Sequence, residues 1–513
     1  MNFSDKKSID PREIELKLQL PPGSRAVLEA CSVFVAAKST QLHQVTTYFD
    51  TPDRVLERAG LTLRVRRIGN THVQNVKSRA SDREVAADRG EWEWRISQDM
   101  PALGKLAKIR QLAKIAGKVK GSLEPVFVTD IRRTVRLLHV ADDTIVEAAI
   151  DEGSIEAGSK REAVSELELK LKCGRIGPVY QFAAELRGIA PLWISSESKA
   201  ARGWHLRTGQ TEEAQRESTP ELGKRTRAAD GFHKIIAETL GHLVANIGPA
   251  LRGDAEGVHQ MRKALRASRA ALKLFEPHLD ATVAGRFNAV LLRLGQIFGT
   301  ARDWDVLCLE TLPAAKTDLP ADQFPDLSLA AKGKRQVAHA AVDNALRSRE
   351  FTLLVLGLAA WAEAGAEQPH SIGDDRMDAR LGSLAPLLLD RVANKAKKRG
   401  RHPGRLSVAE LHALRKSLKK LGCDVKCFRG LYRRHAADAY HSRCEDLEKI
   451  LGVANDAIVT RRLALSLATA RRPNLTKSVD ALAQWSKHRR RKVLLGLKGA
   501  LKAFRATPAF WSK

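Results

Sequence analysis

The sequence is poor in the residues that staple, anchor or stack. Six cysteines in 513 residues (Cys31, Cys173, Cys308, Cys423, Cys427 and Cys444) are too sparse for a disulfide framework. Cys423 and Cys427 stand one helical turn apart, but no Cys/His pattern completes a zinc site around them. Long apolar runs are missing too. The longest, about Thr352 to Trp361, is too short to span a bilayer, and Met1 to Lys17 holds no run of signal-peptide length. Reduced thiols, no membrane span and a cytoplasmic location are therefore expected. Aromatic residues make up 5% of the chain and nowhere interleave with cations as a base-stacking motif would, which argues against a nucleic-acid partner.

Charge, by contrast, is abundant. The net charge is +28 and the pI near 10.1, while 43% hydrophobic and 28% charged residues are ordinary for a globular chain of two or three domains. Roughly 23 of the 28 net positive charges follow residue 220. Two segments of unlike electrostatics are thus joined, and the second should attract polyanions. On charge alone, nucleic acid, an anionic membrane and inorganic polyphosphate all qualify.

The first segment is organised around Glu13-Ile14-Glu15-Leu16-Lys17, in which charged and apolar residues alternate as in a strand with one charged face. The pattern recurs. Thr62, Arg64 and Arg66 alternate with Leu61, Leu63 and Val65; Glu91, Glu93 and Arg95 alternate with Trp92, Trp94 and Ile96; Glu166, Glu168 and Lys170 alternate with Leu167, Leu169 and Leu171. Strands whose polar face carries both signs predict a sheet that encloses something charged. Carboxylates there suit a divalent cation, and basic groups suit an anion such as a phosphate chain. Eight or so strands are expected, with helices at about 25–37, 103–116 and 177–188, an α+β arrangement consistent with a closed antiparallel barrel.

Glu13-x-Glu15-x-Lys17 resembles the ExExK signature of the CYTH superfamily, the triphosphate tunnel metalloenzymes. The resemblance continues in order through Tyr48-Phe49-Asp50-Thr51-Pro52, Leu63-Arg64-Val65-Arg66, Lys77, Thr129-Asp130 with Arg132-Arg133, Glu147 and Asp151-Glu152-Gly153. It ends in Glu166-Leu167-Glu168-Leu169 and Ser198-Lys199-Ala200-Ala201-Arg202-Gly203, covering roughly residues 10–206. It implies a metal-dependent triphosphatase. Glu13, Glu15, Asp151, Glu166 and Glu168 would hold Mg²⁺ or Mn²⁺, Lys17, Lys77 and Lys199 would be catalytic, and Arg64, Arg66, Arg132 and Arg202 would bind the substrate. Asp50 reads equally as a turn residue and as a metal ligand. Inorganic triphosphatases, thiamine triphosphatases and adenylate cyclases share these charges, so the motifs alone do not choose among them.

Residues 208–224 read as a linker between a first domain at 8–207 and a second at 225–510. The second is expected to be an all-α bundle, with breaks at Asp318–Asp326 and Glu367–Asp375, and it repeats itself. Val258-His259-Gln260-Met261-Arg262-Lys263-Ala264-Leu265-Arg266 recurs 153 residues later as Leu411-His412-Ala413-Leu414-Arg415-Lys416-Ser417-Leu418-Lys419. Lys273, Phe275, Gly299, Ala301 and Asp303 meet Lys426, Phe428, Gly452, Ala454 and Asp456 at the same offset, so duplicated halves at about 225–365 and 376–510 are expected. On a helix, His259, Arg262, Lys263, Arg266 and Lys273 share one sector, and His412, Arg415, Lys416, Lys419 and Lys426 repeat it. Two such helices brought together would line a cationic groove. The segment resembles the CHAD domain, the conserved histidine α-helical domain, through HxxRKxxR, HxxRKxxK and Ala301-Arg302-Asp303-Trp304-Asp305. That resemblance implies binding of inorganic polyphosphate, with association with polyphosphate granules. The whole chain then reads as an inorganic triphosphatase acting on tripolyphosphate. A non-catalytic polyphosphate-binding protein and an enzyme for an organic triphosphate are the alternatives.

Overall fold

A computed structural model describes residues 12–78, 85–319, 324–364, 375–468 and 473–512. Of the expected breaks, 320–323 and 367–374 lie outside them, and a helix, Pro325–Arg347, begins inside the first expected break. The chain packs as two compact units. One comprises residues 1–215 with 240–249 and 346–363; the other comprises 216–239, 250–345 and 364–513.

The first unit is built on nine antiparallel strands: β1 (Arg12–Gln19), β2 (Ser39–Asp50), β3 (Leu61–Ile68), β4 (Thr71–Ser78), β5 (Ala87–Ile96), β6 (Glu124–Ala141), β7 (Thr144–Ala157), β8 (Lys160–Cys173) and β9 (Trp193–Ile194). Their order is β5-β4-β3-β2-β6-β7-β8-β1-β9, and β1 also pairs with β5. That last pairing closes eight strands into a barrel, with the two-residue β9 attached to β1. Because side chains alternate, closure sends every second residue inward. Outward-facing Phe49, Leu63, Val65 and Val76 pack under Leu106, Leu112, Ala116 and Val119. The expected helix at 103–116 is two shorter ones, Leu103–Ala107 and Arg110–Lys118. The break re-phases the chain, since in one continuous helix Leu106 and Leu112 would point about 120° apart. The helix at about 177–188 is found as Ile176–Ile189, and the one at about 25–37 as two short turns, Ser24–Glu29 and Ser32–Val35.

Helix Lys199–Thr208 packs against β6, β7 and β8. Ser198 caps it, its Oγ accepting from the Ala201 amide at 3.1 Å. Ala200, Trp204 and Leu206 pack on the apolar group Tyr48, Phe127, Ile131, Ile155 and Val164. A Cβ on Gly203 would come within 2.3 Å of the Phe127 ring, so only glycine allows this approach.

The domain division differs from the expected one. Residues 346–363, which include the longest apolar run, cluster with the sheet: Arg347 lies 5.1 Å over the Trp193 ring. Residues 240–249 do likewise, through Asn246, which donates to the Gln215 carbonyl and accepts from its amide, each at 3.0 Å. No helix among the described residues is long and apolar enough to cross a membrane.

The second unit is helical, and its duplication runs further than the sequence match. Helices Ala228–Ala245, Ala255–Phe275 and Ala281–Asp305 begin 153 positions before Leu381–Arg399, Val408–Phe428 and Arg434–Leu465. The register ends at Asp305, where the first copy turns into a π-helix, Val306–Thr311, and the second continues as α-helix.

Gly203→Ala is expected to destabilise the sheet unit by about 1–3 kcal/mol through overpacking against Phe127. The reading is a lower urea midpoint; an unchanged midpoint would mean the ring has room to yield.

Candidate active site and cationic groove

Strand register assembles the lumen. Arg133 on β6 stands opposite Asp151 on β7, which stands opposite Glu166 on β8, while Glu168 stands opposite Lys17 on β1. Arg133 holds the Asp151 carboxylate with two bonds of 2.7 and 2.6 Å and reaches Glu168 at 2.5 Å. Lys199 enters from its helix and contacts Asp151 at 2.6 Å, Glu168 at 2.9 Å and Glu166. Lys17 lies 2.5 Å from Glu168 and 2.8 Å from Glu15. Burial alone would push these carboxyls up, but Lys199 and Arg133 hold Asp151 below its ordinary value, and Lys17, Lys199 and Arg133 hold Glu168 well below. Burial likewise pulls Lys199 down, and Asp151, Glu166 and Glu168 more than restore it.

A second group lies along the same inward face. Glu13 accepts from Lys77 at 2.6 Å and from Lys170 at 2.8 Å. Glu91 meets Lys170 at 3.1 Å, Lys77 at 3.2 Å and the Asn75 amide at 2.6 Å. Arg64 donates to Asn75 at 3.1 Å and to the Tyr48 hydroxyl at 3.4 Å. Arg66 differs: its buried Nε has no hydrogen-bond partner. Burial, with Arg64 and Arg133 nearby, pushes its guanidinium down to about 10. A cation so placed favours an incoming anion.

In the helical unit, helix Ala255–Phe275 is capped by Asp254 and helix Val408–Phe428 by a Ser407–Glu410 capping box. They bury equivalent faces: Val258, Met261, Leu265, Leu272 and Phe275 in one, and Leu411, Leu414, Leu418, Val425 and Phe428 in the other. The two helices pack together, with the equivalent rings of Phe275 and Phe428 at 6.3 Å, as a local twofold axis between the copies requires. Arg262, Arg266, Arg415 and Lys419 gather there. Burial first, then these three arginines, push Lys419 down to about 7. The acids nearby are few: Asp303 lies 4.0 Å from Arg262 and 3.2 Å from Arg462, and Asp456 and Glu448 also face the group.

A family model of the CYTH domain matches residues 11–204, and one of the CHAD domain matches residues 234–465. The chain joins a CYTH domain to a CHAD domain. An inorganic triphosphatase of Haemophilus influenzae is 30% identical over 197 residues, which cover 38% of this chain and 55% of that protein, so the chain spans about half the length of this curated relative. The crystal structure of a CHAD domain from the plant Ricinus communis is 25% identical with a TM-score of 0.52, covering 58% of this chain and 98% of that one. A proposed adenylyl cyclase of Hippeastrum, described as having a dominant triphosphatase activity, is 21% identical with a TM-score of 0.30, over 38% of this chain and 96% of that one.

Most residues singled out in the CYTH sequence do meet inside the barrel, with three differences. Arg132 is exposed, and its neighbour Arg133 takes the inward position, because β6 buries Phe127, Thr129 and Ile131 and so puts odd-numbered residues inside. Arg202 donates to Glu162 at 2.7 Å and the Ala163 carbonyl at 2.6 Å, tying its helix to β8, and reaches Glu166 of the carboxylate group with Nη1 at 3.5 Å, so its guanidinium is engaged by the protein. Asp50 is a turn residue: its carboxylate accepts from the amides of Thr51, Leu56 and Glu57 at 2.7–2.9 Å. Asp151, Glu166 and Glu168 form a group among the described residues whose oxygens all lie within 4.8 Å of one another, a hard-oxygen set that fits Mg²⁺ or Mn²⁺. Glu13 and Glu15 share the inward face but stand outside that trio. Arg133, Glu91 and Lys170 were missed as site residues. Glu91 and Lys170 already lay on the alternating charged faces.

The CHAD residues divide more sharply. Arg262, Arg266, Arg415 and Lys419 converge. Lys263 and Lys426 both pair with Glu217, at 2.9 and 2.8 Å. Lys273 pairs with Glu276 on its own chain segment, and Lys416 is exposed. His259 lies near Arg302 and is pushed down to about 4, first by burial, whereas His412 is exposed and meets Asn455 at 3.2 Å.

Arg133→Gln removes one of the cations that hold Asp151 and Glu168, leaving them to Lys199 and Lys17, and is expected to lower stability by about 1–3 kcal/mol. Arg132→Gln, on the exposed face, should stay within about 0.5 kcal/mol. Equal urea midpoints for the two variants would reverse the phase assigned to β6.

Proposed function

We propose that the CYTH domain is a metal-dependent inorganic triphosphatase that hydrolyses tripolyphosphate to pyrophosphate and phosphate, and that the CHAD domain binds inorganic polyphosphate. The observation that carries the first part is the pairing, inside one closed lumen, of a carboxylate trio with a cationic lining that includes the unpartnered Nε of Arg66. The similarity to the inorganic triphosphatase of Haemophilus influenzae supports the same reading.

Asp151, Glu166 and Glu168 would hold Mg²⁺ or Mn²⁺, which when bound polarises a phosphoryl oxygen toward attack by water. Lys199 and Arg133 contact those same oxygens and would be placed to reach the phosphate beside a bound cation. Arg64, Arg66 and Lys77 line the path along which the anion would lie and neutralise charge on the departing pyrophosphate. Water adds to a terminal phosphorus, the bridging P–O bond breaks, and one proton is released with the two products.

Phosphate release from tripolyphosphate should require Mg²⁺ or Mn²⁺ and stop with chelator. Glu166→Gln with Glu168→Gln should lower it by about a hundredfold or more and leave polyphosphate binding intact. Turnover that survives chelator and both substitutions would refute the metal reading. Polyphosphate binding without any turnover would leave a binding protein.

The groove adds a pH dependence. An anion stabilises charged Lys419, whose free-state value near 7 must then rise. Affinity is therefore greatest below that value and falls above it, by up to about tenfold per pH unit, as binding has to take up a proton. Long chains keep the titration of terminal phosphates small. Lys419→Arg, which stays charged, should flatten the profile; a wild-type affinity that is flat across this range sinks the assignment.

A further inference from the structure

The helical unit has an internal carboxylate where its symmetry offers a place for an anion. Glu217 lies in the stretch between residues 209 and 223, which has neither helix nor strand. Its Oε1 sits 2.9 Å from Lys263 of the first repeat helix and 2.8 Å from Lys426 of the second. Burial would push this carboxyl up, but hydrogen bonds from Lys426 and Lys263 bring it down to about 2, so it is ionised at any ordinary pH. Cys423, one turn before Lys426, feels both Arg266 and Glu217, which places this carboxylate beside the cationic cluster.

The duplication supplies its own control. Lys263 and Lys426 correspond, 153 residues away, to Lys416 and Lys273. Among the described residues the second pair has no such bridge: Lys416 is exposed, and Lys273 pairs with Glu276 three residues along. The local twofold therefore makes two lysine pairs, one on each side of the central Arg262, Arg266, Arg415 and Lys419, and only one is bridged by a carboxylate. A single oxygen shared by two ammonium groups from different helices is the contact that a phosphate oxygen of a bound chain would make.

We propose that Glu217 is a displaceable occupant of the polyphosphate groove, so that a bound chain must exchange its phosphates for this carboxylate and thereby loosens the stretch just after Gln215, a residue that Asn246 holds separately. The proposal rests on the polyphosphate reading of the CHAD domain. It makes the groove asymmetric: a chain engages the Lys416 and Lys273 side first and competes with Glu217 on the other. It also turns ligand binding into a change in the order of the segment that joins the two domains in sequence.

The test measures binding of long-chain inorganic polyphosphate to the full-length protein and to Glu217→Gln over a range of salt. The variant should bind about three- to tenfold more tightly at low salt, and its affinity should fall more steeply with salt, because two more cations become available to phosphate. A second measurement needs no variant. Amide hydrogen exchange in residues 216–221 of the wild type should speed up when polyphosphate is added. Equal affinity and salt slope in both proteins, or exchange that slows or stays the same, overturns the proposal while leaving polyphosphate binding in place. If neither protein binds polyphosphate, the groove reading fails and the proposal falls with it.

Discussion

The first unit depends on one constraint: a closed barrel of eight strands sends every second side chain into a narrow interior, and here those side chains are charged. Burying ions is costly unless each finds a partner of opposite sign. Asp151, Glu166 and Glu168 are therefore inseparable from Lys199, Arg133 and Lys17, and Glu13 and Glu91 from Lys77 and Lys170. The ammonium of Lys199 sits among the three carboxylates and balances their charge. Helix Lys199–Thr208 thereby couples the apolar group around Phe127 to the charged site. Its Ser198 cap, Gly203 contact and Arg202 anchor all serve to hold one lysine in place.

The second unit handles charge in the opposite way. Four cations meet at a local axis with few acids beside them, and Lys419, pushed down first by burial and then by the three arginines, loses much of its basicity. That arrangement is unfavourable by itself, so it must be held by packing. The repeat helices supply this through their matched apolar faces and the Phe275–Phe428 contact. Strain of this kind is relieved by an anion, and the interaction is accessible to salt in a way that ion pairs sealed inside a barrel are not.

Much of this was legible in the sequence because the signals were periodic. Period-two alternation with charge on one face marked β1, β3, β5 and β8, and a helical stripe repeated at a fixed offset marked the groove. What was lost concerned phase and distant partners. In Arg132-Arg133 two identical residues are adjacent, so the motif could not say which faces inward; only the burial of Phe127, Thr129 and Ile131 decides it. Residues 346–363 read as one more apolar helix of the bundle, since nothing local reveals that Trp193 and its surroundings are what it packs with. The break at Lys108–Ile109 carries no glycine or proline, and follows from the sheet's demand that both Leu106 and Leu112 face it.

The duplication also explains where the two copies are free to differ. A residue at the local axis faces its own counterpart, so one change there alters the centre of the site from both sides at once. Arg262 and Arg415 are accordingly the same residue, and Arg266 and Lys419 keep the same charge. Outside the two helices that meet at the axis, the copies differ. Arg302 becomes Asn455, and Gly295, with open space around its Cα, becomes Glu448, which faces Lys419, Arg266 and Arg415. At these two positions the second copy gains an acid and loses a cation, so the surroundings of the central cations are not symmetric. A polyanion lying across the axis would meet different fields at its two ends, so a symmetric fold yields a site with a direction.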